Sequence, residues 1–516
     1  MRPTFLGFET QKRTLQMSQK CIDIVGNNIS NINTPGYTRQ RVDLYSEYIS
    51  GTPNLGWNSP NQTLSIAGQG VNSYGISQIR DIYIDKRYRA NVATESETEK
   101  MTQILTDIED VLDDFENEGL QHFTQQFFNS LQDYSMEKPD SAEIATICVN
   151  NATNLCQLLN VYSQELKEVE DTYSLELRET IDRINNMVEE MNKLNDKIEK
   201  EKLHYNEEYG PNELYDEMNL YIDELATYGN INVVQHENGK FSVEMGGIKI
   251  LDAVKNKTNR IMMKDYEIYG QAIVFWESGE DLTLESGSLK GYVDMLNGNG
   301  VYATGHQNGY YGIAYFKSAV DEFARTIADT FNTANGGKED ETRNMFTPDK
   351  EGALITAGNI HVSDSWLKDP TMIGKVRRFN EMTGLYEYGY DEVINEITGE
   401  VTLQNSNVLY LISQFDNHDI KFGNENDFSG SVYEYISFVS NRLGETIKFE
   451  SSRYDTAVAT VDTLLDARDS VSSPSFDEEG IDMMNYQKWF SASSRLTTTL
   501  DDMLDKLING TGRVGL

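Results

Sequence analysis

Apolar residues recur every seven positions at both ends of this 516-residue chain. A seven-residue repeat on a helix produces a narrow apolar stripe, which is typical of helices that pair as coiled coils. The N-terminal stripe consists of Phe8, Leu15, Ile22, Val25, Ile29 and Ile32. Its helix is predicted to end before Pro35, because the residue before a proline is pushed out of the helical region.

The C-terminal stripe repeats this pattern after Pro474 and consists of Tyr486, Trp489, Leu496, Leu500, Met503 and Leu507. Ser475 and Glu478 have the spacing of a capping box at the start of this helix, and Gly510 is predicted to end it. Isolated helices are marginally stable in water. We therefore expect the two terminal helices to pair antiparallel and to become ordered on assembly. Periodicity alone equally permits them to cap an ordinary helical bundle.

Long helices are predicted inside the two ends. Neither proline nor glycine occurs between Asp140 and Tyr209, and a continuous helix of about 60 residues would be about 90 Å long. A second long apolar repeat runs from Val432 to Leu465. We expect these two helices to pair as a coiled-coil rod.

Two stretches alternate apolar and polar residues instead, as strands do. The first is 230–281, which contains the hairpin signal Asn238-Gly239, and the second is 353–428. The predicted fold is mainly α with β-rich inserts (α+β), in an elongated multi-domain chain. The predicted domains are a terminal coiled-coil polymerisation domain (1–60 with 475–516), a helical rod domain (61–229 with 282–352 and 429–474), a β-rich insert (230–281) and a β-rich outer insert (353–428).

The composition disfavours several classes of partner. The formal net charge is −39, whereas binding to nucleic acid or to an anionic membrane surface relies on lysine and arginine. There is no run of 18 or more apolar residues, so no membrane insertion is predicted. Taken alone, these observations indicate a cytoplasmic protein, unless a dedicated secretion machine exports the chain.

Catalytic patterns are missing from the sequence. The six histidines are scattered and no zinc-protease, Walker A or dinucleotide-binding motif occurs. The three cysteines include no C-x-x-C pair, which argues against a disulfide scaffold or a zinc site. We predict a non-enzymatic protein with no catalytic residue, no metal and no cofactor.

The most specific segment is 26–40, in which asparagines precede a Pro-Gly turn. Asparagine side chains can bond the backbone groups left free at a helix end, and Pro-Gly redirects the chain. The residues of this turn motif are Asn28, Asn31, Thr34, Pro35, Gly36 and Tyr37. The segment resembles the N-terminal signature of the rod, hook and hook-associated proteins of bacterial flagella. The segment 482–509 is similar to their C-terminal helix.

Three further segments resemble the FlgK family of flagellar hook-associated proteins within that superfamily. They are 37–40, 119–139 and 212–225. The resemblance implies a structural adaptor that polymerises with copies of itself between the hook and the filament. It implies as neighbours the hook protein and hook-associated protein 3 (FlgL). It also implies export by the flagellar type III apparatus to a position outside the cell, and a FlgN-like chaperone that binds the C-terminal stripe beforehand.

Two alternatives stay open at the level of sequence. One is a hook or rod protein of the same superfamily, which would differ in its position along the flagellar axis. The other is an exported enzyme or adhesin built on flagellar-type ends, with its activity in the β-rich inserts.

Overall fold

The structure is a computed structural model that describes residues 6–47, 49–50, 65–66, 70–112, 119–204, 210–266, 271–298, 309–350, 352–380, 385–394, 401–422 and 428–510. Helices predominate among these residues, which confirms the predicted fold class of mainly α with β-rich inserts. The helices are α1 (Leu6–Ser30), α2 (Ile82–Leu112), α3 (Leu120–Met136), α4 (Ala142–His204), α5 (Asn212–Tyr228), α6 (Ser288–Leu296), α7 (Ile313–Ala334), α8 (Asp364–Lys368), α9 (Ser406–Phe415), α10 (Val432–Ser472) and α11 (Phe476–Asn509).

The strands form small antiparallel sheets. They are β1 (Gln40–Ser46), β2 (Ile49–Ser50), β3 (Ser65–Ile66), β4 (Val71–Gln78), β5 (Ile231–Gln235), β6 (Phe241–Met245), β7 (Ile248–Asp252), β8 (Lys257–Thr258), β9 (Ile261–Tyr266), β10 (Gln271–Trp276), β11 (Phe346–Pro348), β12 (Ile360–Val362), β13 (Lys375–Asn380), β14 (Leu385–Ile394), β15 (Val401–Gln404), β16 (Lys421–Phe422) and β17 (Phe428–Ser429).

The longest helix, α4, has 63 residues and therefore extends about 95 Å. The prediction of one continuous helix in this part of the chain is confirmed. Apolar side chains at helical spacing, among them Leu155, Leu159, Tyr162 and Leu166, are buried along it. Helices α3, α7 and α5 pack against α4 and cover this face.

Helix α10 does not have the partner that the sequence suggested. It packs chiefly along α2 and not along α4. Its N-terminus carries a complete capping box, in which Ser431 and Glu434 bond each other's backbone N–H groups. The apolar repeat of α10 correctly indicated a packed face, but a repeat does not specify which of several apolar helices covers it.

Both predicted β-rich stretches contain strands. Strands β5 to β8 form a four-stranded sheet, β9 and β10 form a hairpin, and Asn238-Gly239 lies in the turn between β5 and β6. The stretch 353–428 also contains helix α9, which alternation did not predict. Its Phe415 packs against Phe127 and Phe331, with ring centroids 5.9 and 5.2 Å apart. The division into four domains stays a prediction.

The two chain ends meet in space. Helix α11 packs along α1, and the β1–β4 hairpin packs on α1 as well. Helix α1 ends at Ser30 and the chain turns at 31–36 into β1, so the predicted end of the helix before Pro35 is confirmed. Helix α1, helix α11 and the β1–β4 hairpin therefore lie together in one region of the molecule.

Candidate assembly interface

The terminal helices α1 and α11 run antiparallel. Asn28 Nδ2 donates to Glu479 Oε2 at 3.0 Å. Further back along α1, the thiol of Cys21 lies close to Tyr486. Near the start of α1, a Cβ added to Gly7 would lie 3.3 Å from Leu500 Cδ1. Residues nearer the N-terminus of α1 therefore contact residues nearer the C-terminus of α11. This order confirms the predicted antiparallel pairing.

Small and polar side chains form most of the buried stripe between the two helices. On α1, Ser18, Cys21, Ile24, Val25 and Asn28 are buried, and Ser493 and Glu479 are buried on α11. Burial raises the pKa of the Cys21 thiol to about 11. Apart from Ile24 and Val25, these buried side chains supply little apolar area.

The predicted apolar stripes lie mostly beside this buried stripe and not within it. Val25 is buried, whereas Phe8, Leu15, Ile22, Ile29 and Ile32 are half-buried. On α11, Tyr486, Trp489 and Leu500 are half-buried, and Leu496, Met503 and Leu507 are exposed. The side chains of Leu496 and Met503 are 48% and 60% exposed. Pairing within one chain therefore leaves an apolar strip open along the helix pair.

Asn28 connects three elements at the end of α1. Its Nδ2 donates to the Gln40 carbonyl at 2.9 Å as well as to Glu479, and its Oδ1 accepts from Gln40 N at 3.0 Å and from the Tyr37 hydroxyl at 2.8 Å. The side chain is 1% exposed. All its hydrogen-bonding capacity is used inside the protein, which joins α1, β1 and α11.

The Pro-Gly turn is shaped by its contact with the rod. Gly36 has a φ of +77°, and a Cβ there would lie 2.6 Å from the Leu220 side chain on α5. Only glycine satisfies both the left-handed backbone and the close approach. Asn31 Nδ2 donates to the carbonyl and to Oδ1 of Asn27, and the Thr34 hydroxyl donates to Asn31 Oδ1, which closes the turn behind α1.

Arg39 follows the turn and holds the start of α11. Its guanidinium contacts Glu479 and Glu478 at 2.6 Å each, and Asp482 at 3.5 Å. Burial alone would lower the pKa of Arg39, but these carboxylates outweigh it and raise the pKa. The predicted capping box is wrong in consequence. Ser475 occupies the N-cap position without a side-chain cap, because Glu478 points to Arg39 instead.

A second polar network fixes the turn to the rod. Asp216 on α5 accepts from Thr38 N at 3.2 Å and from Gln78 Nε2 at 2.8 Å. Burial raises the pKa of Asp216, although these hydrogen bonds oppose the shift. The segment 212–225, singled out in the sequence for its resemblance alone, therefore carries the contact between the turn and the rod.

Arginines from α2 and α10 extend this network. Arg468 on α10 contacts Asp85 at 3.0 Å and Asp223 at 2.6 Å. Arg89 on α2 contacts the same Asp223 at 2.7 Å. Sequence reasoning missed these pairs, because the partners are separated by more than a hundred residues and have no local signature.

In the part of the chain that the structure describes, no group of three or more histidine, cysteine, aspartate or glutamate side chains is arranged to hold a metal ion. The described helices also include none that is long and apolar enough to cross a membrane.

Comparison with protein families gives two matches at the regions described above. Residues 8–38 match the model for "Flagella basal body rod protein", and residues 105–342 match the model for "Flagellar hook-associated protein FlgK helical domain". The first covers α1 and the turn, and the second covers much of the rod. Both models describe one class of protein, the components of the bacterial flagellum.

Full-length relatives narrow this class. The chain is 27% identical to flagellar hook-associated protein 1 of Bacillus subtilis, over 99% of each chain. It is 23% identical to flagellar hook-associated protein 1 of Salmonella typhimurium, over 96% of this chain and 98% of that one. The chain is thus similar, over nearly its full length, to proteins of the flagellar hook-associated protein 1 (FlgK) family.

A solved structure has a similar fold. It is that of the flagellar hook junction protein FlgK from Burkholderia pseudomallei, which matches with a TM-score of 0.56 at 12% identity. The match covers 75% of this chain and all of that one. At this identity, the likeness bears on the fold alone.

Proposed function

We propose that this chain is a structural junction protein of the bacterial flagellum, which polymerises between the hook and the filament. The observation that carries the proposal is the pairing of α1 with α11, which buries a small and polar stripe and leaves Leu496 and Met503 exposed beside it. Covering such apolar surface yields about 25 cal/mol per Å². A neighbouring subunit is the partner that would cover it in a tube.

The contacts between subunits are heterologous in this proposal, because different surfaces of successive copies meet. Such contacts generate a ring or a helix according to the rotation between copies. The hook protein lies below the junction and hook-associated protein 3 (FlgL) lies above it. The exposed part of the C-terminal stripe also suits a FlgN-like chaperone, which would cover Leu496 and Met503 until the type III apparatus exports the chain.

The proposed role is non-enzymatic. The polar clusters at the turn and along α2 hold helices together. The likeness to the FlgK family supports export and a position at the junction, outside the cell.

A strain that lacks the gene tests the proposal directly. We expect cells that bear hooks without filaments and release flagellin into the medium, with filaments restored by the intact gene. Labelled protein on isolated flagella should lie in a short zone between the hook and the filament. Loss of the hook itself, or label along the whole hook, would instead identify a rod or hook protein.

A further inference from the structure

A large cleft opens where the β1–β4 hairpin meets the rod. Its walls are formed by β4, the start of α2, the end of α4, the start of α5 and strand β5. Its volume is about 1170 Å³, which exceeds the roughly 300–1,000 Å³ of typical small-molecule pockets. A cleft of this size suits a segment of polypeptide.

The backbone edges of two strands face the cleft. Consecutive residues line it on both sides, namely 74–78 of β4 and 231–235 of β5. Successive side chains of a strand point to opposite faces, so lining by consecutive residues means that an edge faces the cavity. Among the described strands, β4 pairs with β1 and β5 pairs with β6, which leaves each with an outer edge. Such an edge is a template for an additional strand.

The edge of β4 is partly occupied, whereas that of β5 is more open. Asn212 Nδ2 donates to the Ile76 carbonyl at 3.4 Å, and Gln78 bonds to α5. No backbone hydrogen bond from the outer edge of 231–235 to another described element is present. Strand β5 is therefore the better position for an added strand.

Exposed apolar side chains surround the same cleft. Tyr74, Ile82, Leu203 and Val234 all line it and all are exposed. Ile82 and Leu203 are 81% and 79% exposed, among the highest values for large apolar residues in the described chain. Scattered single apolar residues need no explanation, but a group around one cavity indicates an interaction site.

The charge of the cleft is opposite to that of the chain. Its two carboxylates, Asp43 and Asp85, are paired with arginines at 3.0 Å. Lys86 and Lys202 also line the cleft and add positive charge to it. The chain as a whole has 83 acidic and 44 basic residues. The cleft is thus suited to an acidic segment, and a second copy of this chain is a strongly acidic partner.

We propose that the cleft binds an extended acidic segment of a second copy of this chain, which adds as a strand to the outer edge of β5. This rests on the proposed function, because a heterologous assembly needs two different surfaces on each copy. The cleft is one of them, and the acidic segment that it binds on the next copy is the other. Main-chain hydrogen bonds to β5 hold the segment, and its apolar side chains pack on Ile82, Leu203 and Val234.

Photo-crosslinking in cells that build flagella tests this contact. A photoreactive amino acid replaces Ile82 in the full-length chain, which is expressed together with a copy that carries a different tag. We expect a cross-link that joins the two tagged copies, identified by mass spectrometry. The same amino acid at Val254, which is exposed but lies outside the cleft, should give no such product. A cross-link from position 82 only to another protein, or none at all, overturns the proposal.

A substitution on the strand edge adds a second, independent readout. A charged side chain on an edge strand disfavours addition of another strand, and a carboxylate also repels an acidic segment, so Val234→Glu should lower the yield of the copy–copy product from position 82 about tenfold. Val254→Glu adds the same charge to an exposed position of the same insert and should leave the yield unchanged. An unchanged yield with Val234→Glu contradicts the assignment to β5.

Labelling of isolated flagella separates the two proposals. If the protein lies at the junction but the cleft gives no copy–copy product, the inference about the cleft fails and the proposed function stands. If the protein is missing from flagella altogether, both fail. Circular dichroism of each purified variant shows that the fold is intact before either conclusion is drawn.

Discussion

The terminal helix pair and the rod use different means to hold helices together. In the rod, large apolar side chains fill the space between elements; Phe127, Phe331, Phe346 and Phe415 are all fully buried and in mutual contact. On α1 and α11 most buried positions are small or polar, with Ile24 and Val25 as exceptions, and Arg39 and Asn28 supply the connecting bonds. The rod therefore buries its large apolar side chains within one copy, whereas the ends leave apolar side chains such as Leu496 and Met503 uncovered.

The largest expected effect comes from the rod. Phe127→Ala removes an aromatic ring from the centre of that cluster, and we expect it to lower the free energy of unfolding by about 3–5 kcal/mol. Urea denaturation of the purified chain measures this loss. The control is Leu175→Ala on the exposed side of α4, which should change stability by less than about 0.5 kcal/mol. Equal effects of the two variants would mean that the aromatic cluster is not the centre of the core.

A smaller and more local effect is expected at the ends. Asn28→Ala removes the bonds that join α1, β1 and α11 and leaves buried partners unsatisfied, at a cost of about 1–3 kcal/mol. Hydrogen exchange should accelerate in α1 and α11 and remain unchanged in α4. Asn31→Ala, which loses contacts only within the turn, should affect exchange less. Acceleration throughout the rod would show that the ends and the rod do not unfold separately.

The apolar strip on α11 should matter for assembly and hardly at all for stability. Leu496→Asp places a charge on a side chain that is already exposed, so we expect a change of less than about 0.5 kcal/mol in the isolated chain. Incorporation into flagella should nevertheless fail, because the charge would be buried against a neighbour. Leu500→Asp should impair incorporation too. Motility and electron microscopy provide the measurement.

Met484→Asp is the matched control for this strip. Met484 is exposed like Leu496 but belongs to neither predicted stripe. We expect normal filaments on this variant. If Leu496→Asp and Met484→Asp both assemble normally, the apolar strip is not an interface. If both fail to assemble, the effect is not specific to the strip.

The smallest expected effect is a difference in alkylation rate among the three cysteines of the unsubstituted chain. Burial raises the thiol pKa of Cys21 and Cys148 to about 11 and that of Cys156 to about 12, so alkylation near pH 8 depends on local opening that exposes the thiol. Cys21 lies between the terminal helices, whereas the other two lie in the rod on α4. Mass spectrometry should find Cys21 alkylated first. Alkylation of Cys148 before Cys21 would mean that the rod opens more readily than the terminal helix pair.

The elements that were predicted correctly are those that local sequence determines. The end of α1 before Pro35, the unbroken helix α4 and the turn between β5 and β6 all depend on residues that are close together in the chain. The partner of α10 and the helix α9 were not predicted. An apolar repeat shows that one face of α10 is buried, but it does not show which element covers that face. Helix α9 lies in a stretch where the alternation of apolar and polar residues in neighbouring strands dominated the sequence pattern.

The geometry of the terminal pair was predicted only in part. Antiparallel pairing followed from two matching repeats, but the buried stripe is displaced towards Ser18, Cys21 and Asn28. A hydrophobic repeat cannot identify buried polar positions, because their burial depends on partners such as Glu479 and Gln40. The capping box at Ser475 failed for the same reason: Arg39, more than 400 residues away, binds Glu478.

The separation between Asn28 and Glu479 along the chain has a consequence for the timing of assembly. Helix α1 precedes the rod in the polypeptide, yet Glu479, to which its Asn28 donates, lies 451 positions later. A chain interrupted anywhere before α11 therefore cannot form the paired end, however well its rod has folded. Under the proposed function, only finished molecules carry the paired end that polymer growth requires.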